Sequence, residues 1–135
     1  MSTMTAEIVH ITIRRDWREV YDFASKPENM PLWASGLATA FVPDGADWIA
    51  AGALGTVRIA FAPPNDFGVI DHTVTEPSGR QFYNALRVVR NGDGCEMMFT
   101  LLRVEGMTDA QFEADANHVA RDLATLKGLM ESEAL

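Results

Sequence analysis

Apolar residues recur near the end of the chain at alternating steps of four and three: Phe112, Ala116, Val119, Leu123, Leu126 and Met130. That spacing places them on one side of an α-helix, with Ala114, Asn117, Arg121, Thr125, Gly128 and Ser132 on the other. Thr108 followed by Gln111 predicts a capping box at the start. Asp109, Glu113 and Asp115 put negative charge near the positive end of the helix dipole. A helix over 108–135 would run about 40 Å, enough to cross a small domain.

Upstream the period changes from helix to strand. Residues 7–13 alternate, with Val9, Ile11 and Ile13 on one side and Ile8, His10 and Thr12 on the other. Asp16 and Glu19 predict a cap for a short amphipathic helix over 16–25, carrying Trp17, Val20, Tyr21 and Ala24. Pro27 opens one or two further turns over 27–35, with Met30, Leu32 and Trp33 turned inward. Strands are predicted over 37–42, 47–51, 55–62, 69–76, 81–90 and 95–104. Turn signals separate them, among them Pro43-Asp44-Gly45, Pro77-Ser78-Gly79 and Asn91-Gly92-Asp93-Gly94. The order is one strand, two short helices, about six strands and a long helix. An antiparallel sheet of that size curls, and the helix can close its concave side, which is an α+β arrangement.

Composition narrows the function classes. A chain of 135 residues fits one domain, 1–135. Its net charge of −8 argues against nucleic acid and against an anionic membrane surface as partners. Cys95 stands alone, so no internal disulfide forms and a reducing cytoplasm is the simplest setting. No leader-like start and no apolar run of about 18 residues occurs, so neither export nor membrane insertion is expected. Three histidines and one cysteine show none of the short spacings of structural zinc, so no metal is expected. No phosphate-binding glycine pattern occurs, and no cofactor is expected.

The order of elements is similar to that of the helix-grip, or SRPBCC/START-like, superfamily along nearly the whole chain. Three phrases resemble small bacterial members of it: Pro27-Glu28-Asn29-Met30-Pro31-Leu32-Trp33, Phe67-Gly68-Val69-Ile70-Asp71-His72 and Arg87-Val88-Val89-Arg90-Asn91-Gly92. The resemblance implies a curved antiparallel sheet of about seven strands wrapped on the last helix, with a ligand cavity between them. It carries over no catalytic motif, because one such scaffold hosts binding, transport and catalysis.

Strand pairing then assigns the cavity face. If Arg90 pairs with Cys95 and Glu76 with Gln81, one face carries Val69, Asp71, Thr73, Phe82, Asn84, Leu86, Val88, Met97, Phe99 and Leu101. We assign this face to the concave side. Leu86, Val88, Phe99, Leu101, Val119, Leu123 and Leu126 are then expected as apolar walls, with Trp33 at the rim. Asp71, Asn84 and Arg103 are expected to orient a small, mostly apolar ligand. Asp71 is the acid/base candidate in this register. A slip of one residue would exchange the faces and make His72 the leading candidate instead. Arg87 and Glu96 are expected to pair on the outer face, and His10 and His118 are read as edge or surface residues. The outer face is rather apolar too, which suggests a second copy of the chain as its partner. Three functions fit: ligand binding, a cyclase- or dehydratase-type reaction in the cavity, or a homodimeric module with a filled cavity.

Overall fold

The computed structural model describes residues 2–37, 40–52 and 55–132. Strand β1 (Ala6–Ile13) leads into helix α1 (Trp17–Ala24) and two 3-10 turns, Pro27–Leu32 and Ser35–Leu37. Strands β2 (Phe41–Asp44), β3 (Asp47–Gly52), β4 (Gly55–Phe61), β5 (His72–Thr75), β6 (Gln81–Asn91) and β7 (Gly94–Leu102) follow, and helix α2 (Asp109–Glu131) ends the sequence of elements. Among the described residues the seven strands form one curved antiparallel sheet in the order β1-β7-β6-β5-β4-β3-β2. The meander therefore runs across the sheet, and the first strand returns to pair with the last.

Local chemistry explains the helix ends. Asp16 caps α1 by accepting from the backbone N–H groups of Arg18 and Glu19. Thr108 caps α2: its hydroxyl accepts from Gln111 N–H, while the Gln111 side chain accepts from Thr108 N–H. On α2, Leu123, Leu126 and Met130 are buried, whereas Phe112, Ala116 and Val119 are only partly so. The helix thus meets the core most closely in its second half. There it joins Ile13, Val20, Leu86, Val88 and Met97, each almost wholly removed from water. Burial of such side chains contributes about 1.5–3 kcal/mol apiece.

Several boundaries differ from the sequence expectation. The strand expected over 37–42 begins at Phe41, and Leu37 ends a 3-10 turn instead; residues 38 and 39 of that expectation lie outside the described residues, as do 133–135 of the expected helix. Pro43 sits within β2 opposite Trp48. It is tolerated because β2 is an edge strand, where one side of the backbone has no partner to serve. Leu32 is exposed, not turned inward.

The strand expected over 69–76 shrinks to His72–Thr75. The segment before it is held by a side chain, not by a ladder. Asn65 accepts from the N–H groups of Phe67 and Val69 and donates to the carbonyls of Pro63 and Val69. Gly68, at φ +73°, accepts from Val88 N–H at 2.9 Å. A Cβ there would lie 2.1 Å from the Val88 carbonyl oxygen, so only glycine fits.

Candidate functional site

One turn decides what the inner face of the sheet carries. Gly79 N–H donates to the Glu76 carbonyl and Glu76 N–H donates to the Arg80 carbonyl, both at 2.9 Å. Gly79 at φ +89° closes a three-residue hairpin loop, the kind that needs a left-handed residue. Thr75 therefore pairs with Gln81, and His72 with Asn84. The expected Glu76–Gln81 pairing is displaced by one residue, and every side chain of β5 changes face. On the next hairpin the expected pairing holds: Arg90 opposes Cys95, Val88 opposes Met97 and Leu86 opposes Phe99.

A hollow of about 240 Å3 lies between the inner face, the two 3-10 turns and α2. Ile59 and Phe61 of β4, His72 and Val74 of β5, Leu86 of β6 and Phe99 of β7 form its floor. Val119 and Leu123 of α2 face them, and Met30, Trp33, Ala34 and Leu37 close one side. Its described lining contains no lysine or arginine. Phe41 stacks on Trp48 at 4.6 Å between ring centres and meets Phe61 edge-on at 6.3 Å, and Phe61 lies 5.4 Å from the His72 ring. This aromatic row stiffens the wall beside the histidine.

His72 is the polar centre of the floor. Its Nδ1 lies 3.1 Å from the Ile70 carbonyl oxygen, which can only accept, so Nδ1 carries the proton. The other nitrogen, Nε2, is left as an acceptor, with Asn84 Nδ2 at 3.4 Å, a long contact. Burial pushes the imidazole pKa below its ordinary value, outweighing the Ile70 carbonyl and the nearby Asp71 charge, which both favour the proton. The ring is therefore neutral at pH 7. On the adjoining wall, the Trp33 indole N–H is buried without a hydrogen-bond partner among the described residues. Such an orphan costs about 1–3 kcal/mol.

At the open edge of the cavity Ser35, His118 and Asp122 meet. Ser35 Oγ donates to Asp122 Oδ1 at 2.9 Å, and His118 Nε2 lies 3.3 Å from both Ser35 Oγ and Asp122 Oδ2. A nucleophilic relay needs serine and carboxylate on opposite nitrogens of the ring. Here both address the same nitrogen, and the serine proton already belongs to the carboxylate. The trio fastens the second 3-10 turn to α2.

Asp71 lies on the outer face. It is buried, and its carboxylate accepts from Leu86 N–H at 3.0 Å, from Arg87 Nη2 at 2.9 Å and Nε at 3.3 Å, and from the Tyr83 hydroxyl. Desolvation works to raise its pKa, but the Arg87 guanidinium, the Tyr83 hydroxyl and the Leu86 N–H together hold it below the usual carboxylate range. Its side chain fills the place that the Ile70 carbonyl would take in a regular ladder. That carbonyl is free to orient His72. The two neighbours thus serve opposite faces: Asp71 secures the distorted strand, and His72 looks into the hollow.

Comparison with known proteins places this geometry. No family model matches the chain, and no curated protein does. Solved structures match it well in shape at low identity. The Aha1 dimer from Colwellia psychrerythraea matches at 13% identity and a TM-score of 0.75, over 95% of this chain and 97% of that one. Ara h 8.0201 matches at 9% identity and a TM-score of 0.66, over 94% and 97%. DynU16, from the dynemicin biosynthetic locus, matches at 12% identity and a TM-score of 0.71 over 94% of this chain. The chain spans about half of DynU16, 47% of its length. The chain has the helix-grip fold.

Within the helix-grip frame the residues singled out from sequence fall into three groups. Trp33, Leu86, Phe99, Val119 and Leu123 line the hollow. Val88, Leu101 and Leu126 are buried in the surrounding packing, and Asn84 stands beside His72. Asp71 and Arg103 are elsewhere. Arg103 binds the Met107 carbonyl and the Asp109 carboxylate at the start of α2. The expected Arg87–Glu96 pair is replaced as well: Arg87 turns to Asp71, and Glu96 accepts from His10 and Thr12, each at 2.7 Å. Ile59, Phe61 and Val74 were missed because their facing depends on the β4–β5–β6 register. Ser35, His118 and Asp122 come together only through tertiary packing. Among the described residues no cluster of three or more histidine, cysteine or acidic side chains converges as a metal site, and no helix is long and apolar enough to cross a membrane.

Proposed function

We propose that this chain, as one domain, binds a small and mostly hydrophobic molecule in the hollow between the sheet and α2. The observation that carries the reading is the hollow itself: about 240 Å3 walled by Phe61, Val74, Leu86, Phe99, Val119 and Leu123, between the sheet and α2. A ligand seated in an apolar hollow of that size would gain dispersion contacts with each of these walls. Few polar groups in an apolar cavity is also how ligand sites fix orientation. The proposed setting is a reducing cytoplasm, with which a chain whose single cysteine is buried is compatible. The test is native mass spectrometry of protein purified from its own host. A retained mass that is lost on denaturation is the expected result. Bare protein in every preparation, with Phe99→Trp no different from wild type in any binding measurement, would count against the reading.

A second reading rests on His72. A neutral imidazole with one nitrogen fixed as acceptor on a cavity wall is competent as a general base. That supports a cyclase- or dehydratase-type reaction on a bound carbonyl compound; DynU16 belongs to a biosynthetic locus. Turnover lost in His72→Gln while ligand affinity is kept would select this reading. On the outer face, Ile8, Tyr83 and Val89 are exposed. They support a second copy of the chain as partner, which sedimentation velocity would test through the subunit count.

A further inference from the structure

Building on that binding reading, we infer that the hollow selects uncharged, ring-sized molecules bearing a hydroxyl, and that His72 Nε2 is the point that reads the hydroxyl. Three observations converge. First, His72 Nδ1–H donates to the Ile70 carbonyl, with N···O at 3.1 Å, so the other nitrogen, Nε2, is held as a lone-pair acceptor. The tautomer is set by the backbone before any ligand arrives. Second, the one described donor near Nε2, the Asn84 amide at 3.4 Å, is too distant to satisfy it well. A ligand O–H can approach closer and replace it. Third, the described lining has no lysine or arginine, while Asp122, in contact with His118 and the Ser35 hydroxyl, stands at its edge.

The consequence is a selectivity rule. A carboxylate entering this space would be desolvated with no lysine or arginine to receive it, near a resident negative charge. It would also present only acceptors to an acceptor. A plain hydrocarbon fits but leaves Nε2 poorly paired. A hydroxyl supplies the missing proton without bringing charge.

The experiment compares naphthalene, 2-naphthol and 2-naphthoate on the whole chain at pH 7.5. Affinities come from the methyl shifts of Leu86, Val119 and Leu123, and the His72 ring nitrogens are followed in a long-range proton–nitrogen spectrum. In wild type the Nε2 resonance is expected to start as an unprotonated imidazole nitrogen and to move on adding 2-naphthol, but not with naphthalene. The affinity ratio of 2-naphthol to naphthalene is expected to fall on the order of tenfold in His72→Leu, as loss of one hydrogen bond implies. Binding of 2-naphthoate is expected to be weaker than that of 2-naphthol by at least about tenfold. An unchanged ratio in His72→Leu, a static Nε2 resonance, or 2-naphthoate bound as tightly as 2-naphthol overturns the inference while leaving ligand binding intact. If none of the three shifts any cavity methyl, the binding reading falls and the inference with it. The nitrogen resonance needs no variant, so an unstable His72→Leu does not blunt the test.

Discussion

Replacing Asp71 separates the structural carboxylate from the site beside it. Asp71 is 3% exposed, and its carboxylate holds three partners of unequal worth. Arg87 is half-exposed and can return to water, so its pairing contributes at most about 1 kcal/mol. Tyr83 is exposed, and its hydroxyl can also return to water at little cost. The Leu86 N–H cannot: Leu86 is buried, and Asp71 Oδ1 at 3.0 Å is its acceptor. Leaving that donor unpaired costs about 1–3 kcal/mol. Asp71→Ala is therefore expected to destabilise the chain by about 2–4 kcal/mol. Asp71→Asn keeps an oxygen for Leu86 and loses mainly the charge, for about 1–2 kcal/mol. Urea unfolding monitored by tryptophan fluorescence measures both. Neither variant should alter binding of an apolar probe at temperatures where it is folded. Equal losses for the two variants, or a loss below about 0.5 kcal/mol for Asp71→Ala, would refute the role given to the Leu86 N–H.

Other consequences follow from the same geometry. Gly68→Ala combines a positive φ with a Cβ set against the Val88 carbonyl; a loss of more than about 2 kcal/mol is expected in urea unfolding, and a near-neutral effect would mean that the 63–71 segment can move off β6. His72 and Asp71 both have folded pKa values below their ordinary ones, so in each case the unfolded chain binds the extra proton. Stability should hold above pH 7, fall as pH drops below about 6.5 through His72, and fall again below about 4 through Asp71. His72→Phe should flatten the first step in a pH series of unfolding midpoints, and an unchanged step would exclude His72 as its source. Cys95 is fully buried and its pKa is pushed up to about 11, chiefly by desolvation; alkylation by iodoacetamide at pH 8 should require unfolding, and rapid labelling of the native chain would contradict the packing.

The parts of the fold that could be read from sequence are those set by local chemistry. The stripe from Phe112 to Met130 and the Thr108–Gln111 pair define α2 without reference to anything distant. The β6–β7 register follows from the tight turn at Asn91–Gly94, whose short loop admits one pairing. The β5–β6 register does not, because Pro77-Ser78-Gly79 allows either a three- or a four-residue loop. Gly79's left-handed backbone chooses the shorter one, and that choice exchanges Asp71 for His72 at the cavity. A periodicity of two cannot resolve a shift of one. The Asn65 bracket was equally illegible, since it depends on a side chain replacing ladder bonds, and so were Arg87's turn toward Asp71 and the meeting of Ser35 with His118 and Asp122. Apolar walls are overdetermined by pattern, whereas polar contacts hang on single loop residues.

The central claim is that a ligand-sized apolar space lies between the sheet and α2. Titration with toluene, followed by the methyl resonances of Leu86, Val119 and Leu123, tests it most directly. The structure predicts saturable shifts at those three methyls, absent at Ile8 and Val89 on the outer face, and abolished by Phe99→Trp. Shifts that never saturate, or that appear equally on the outer face, would contradict it.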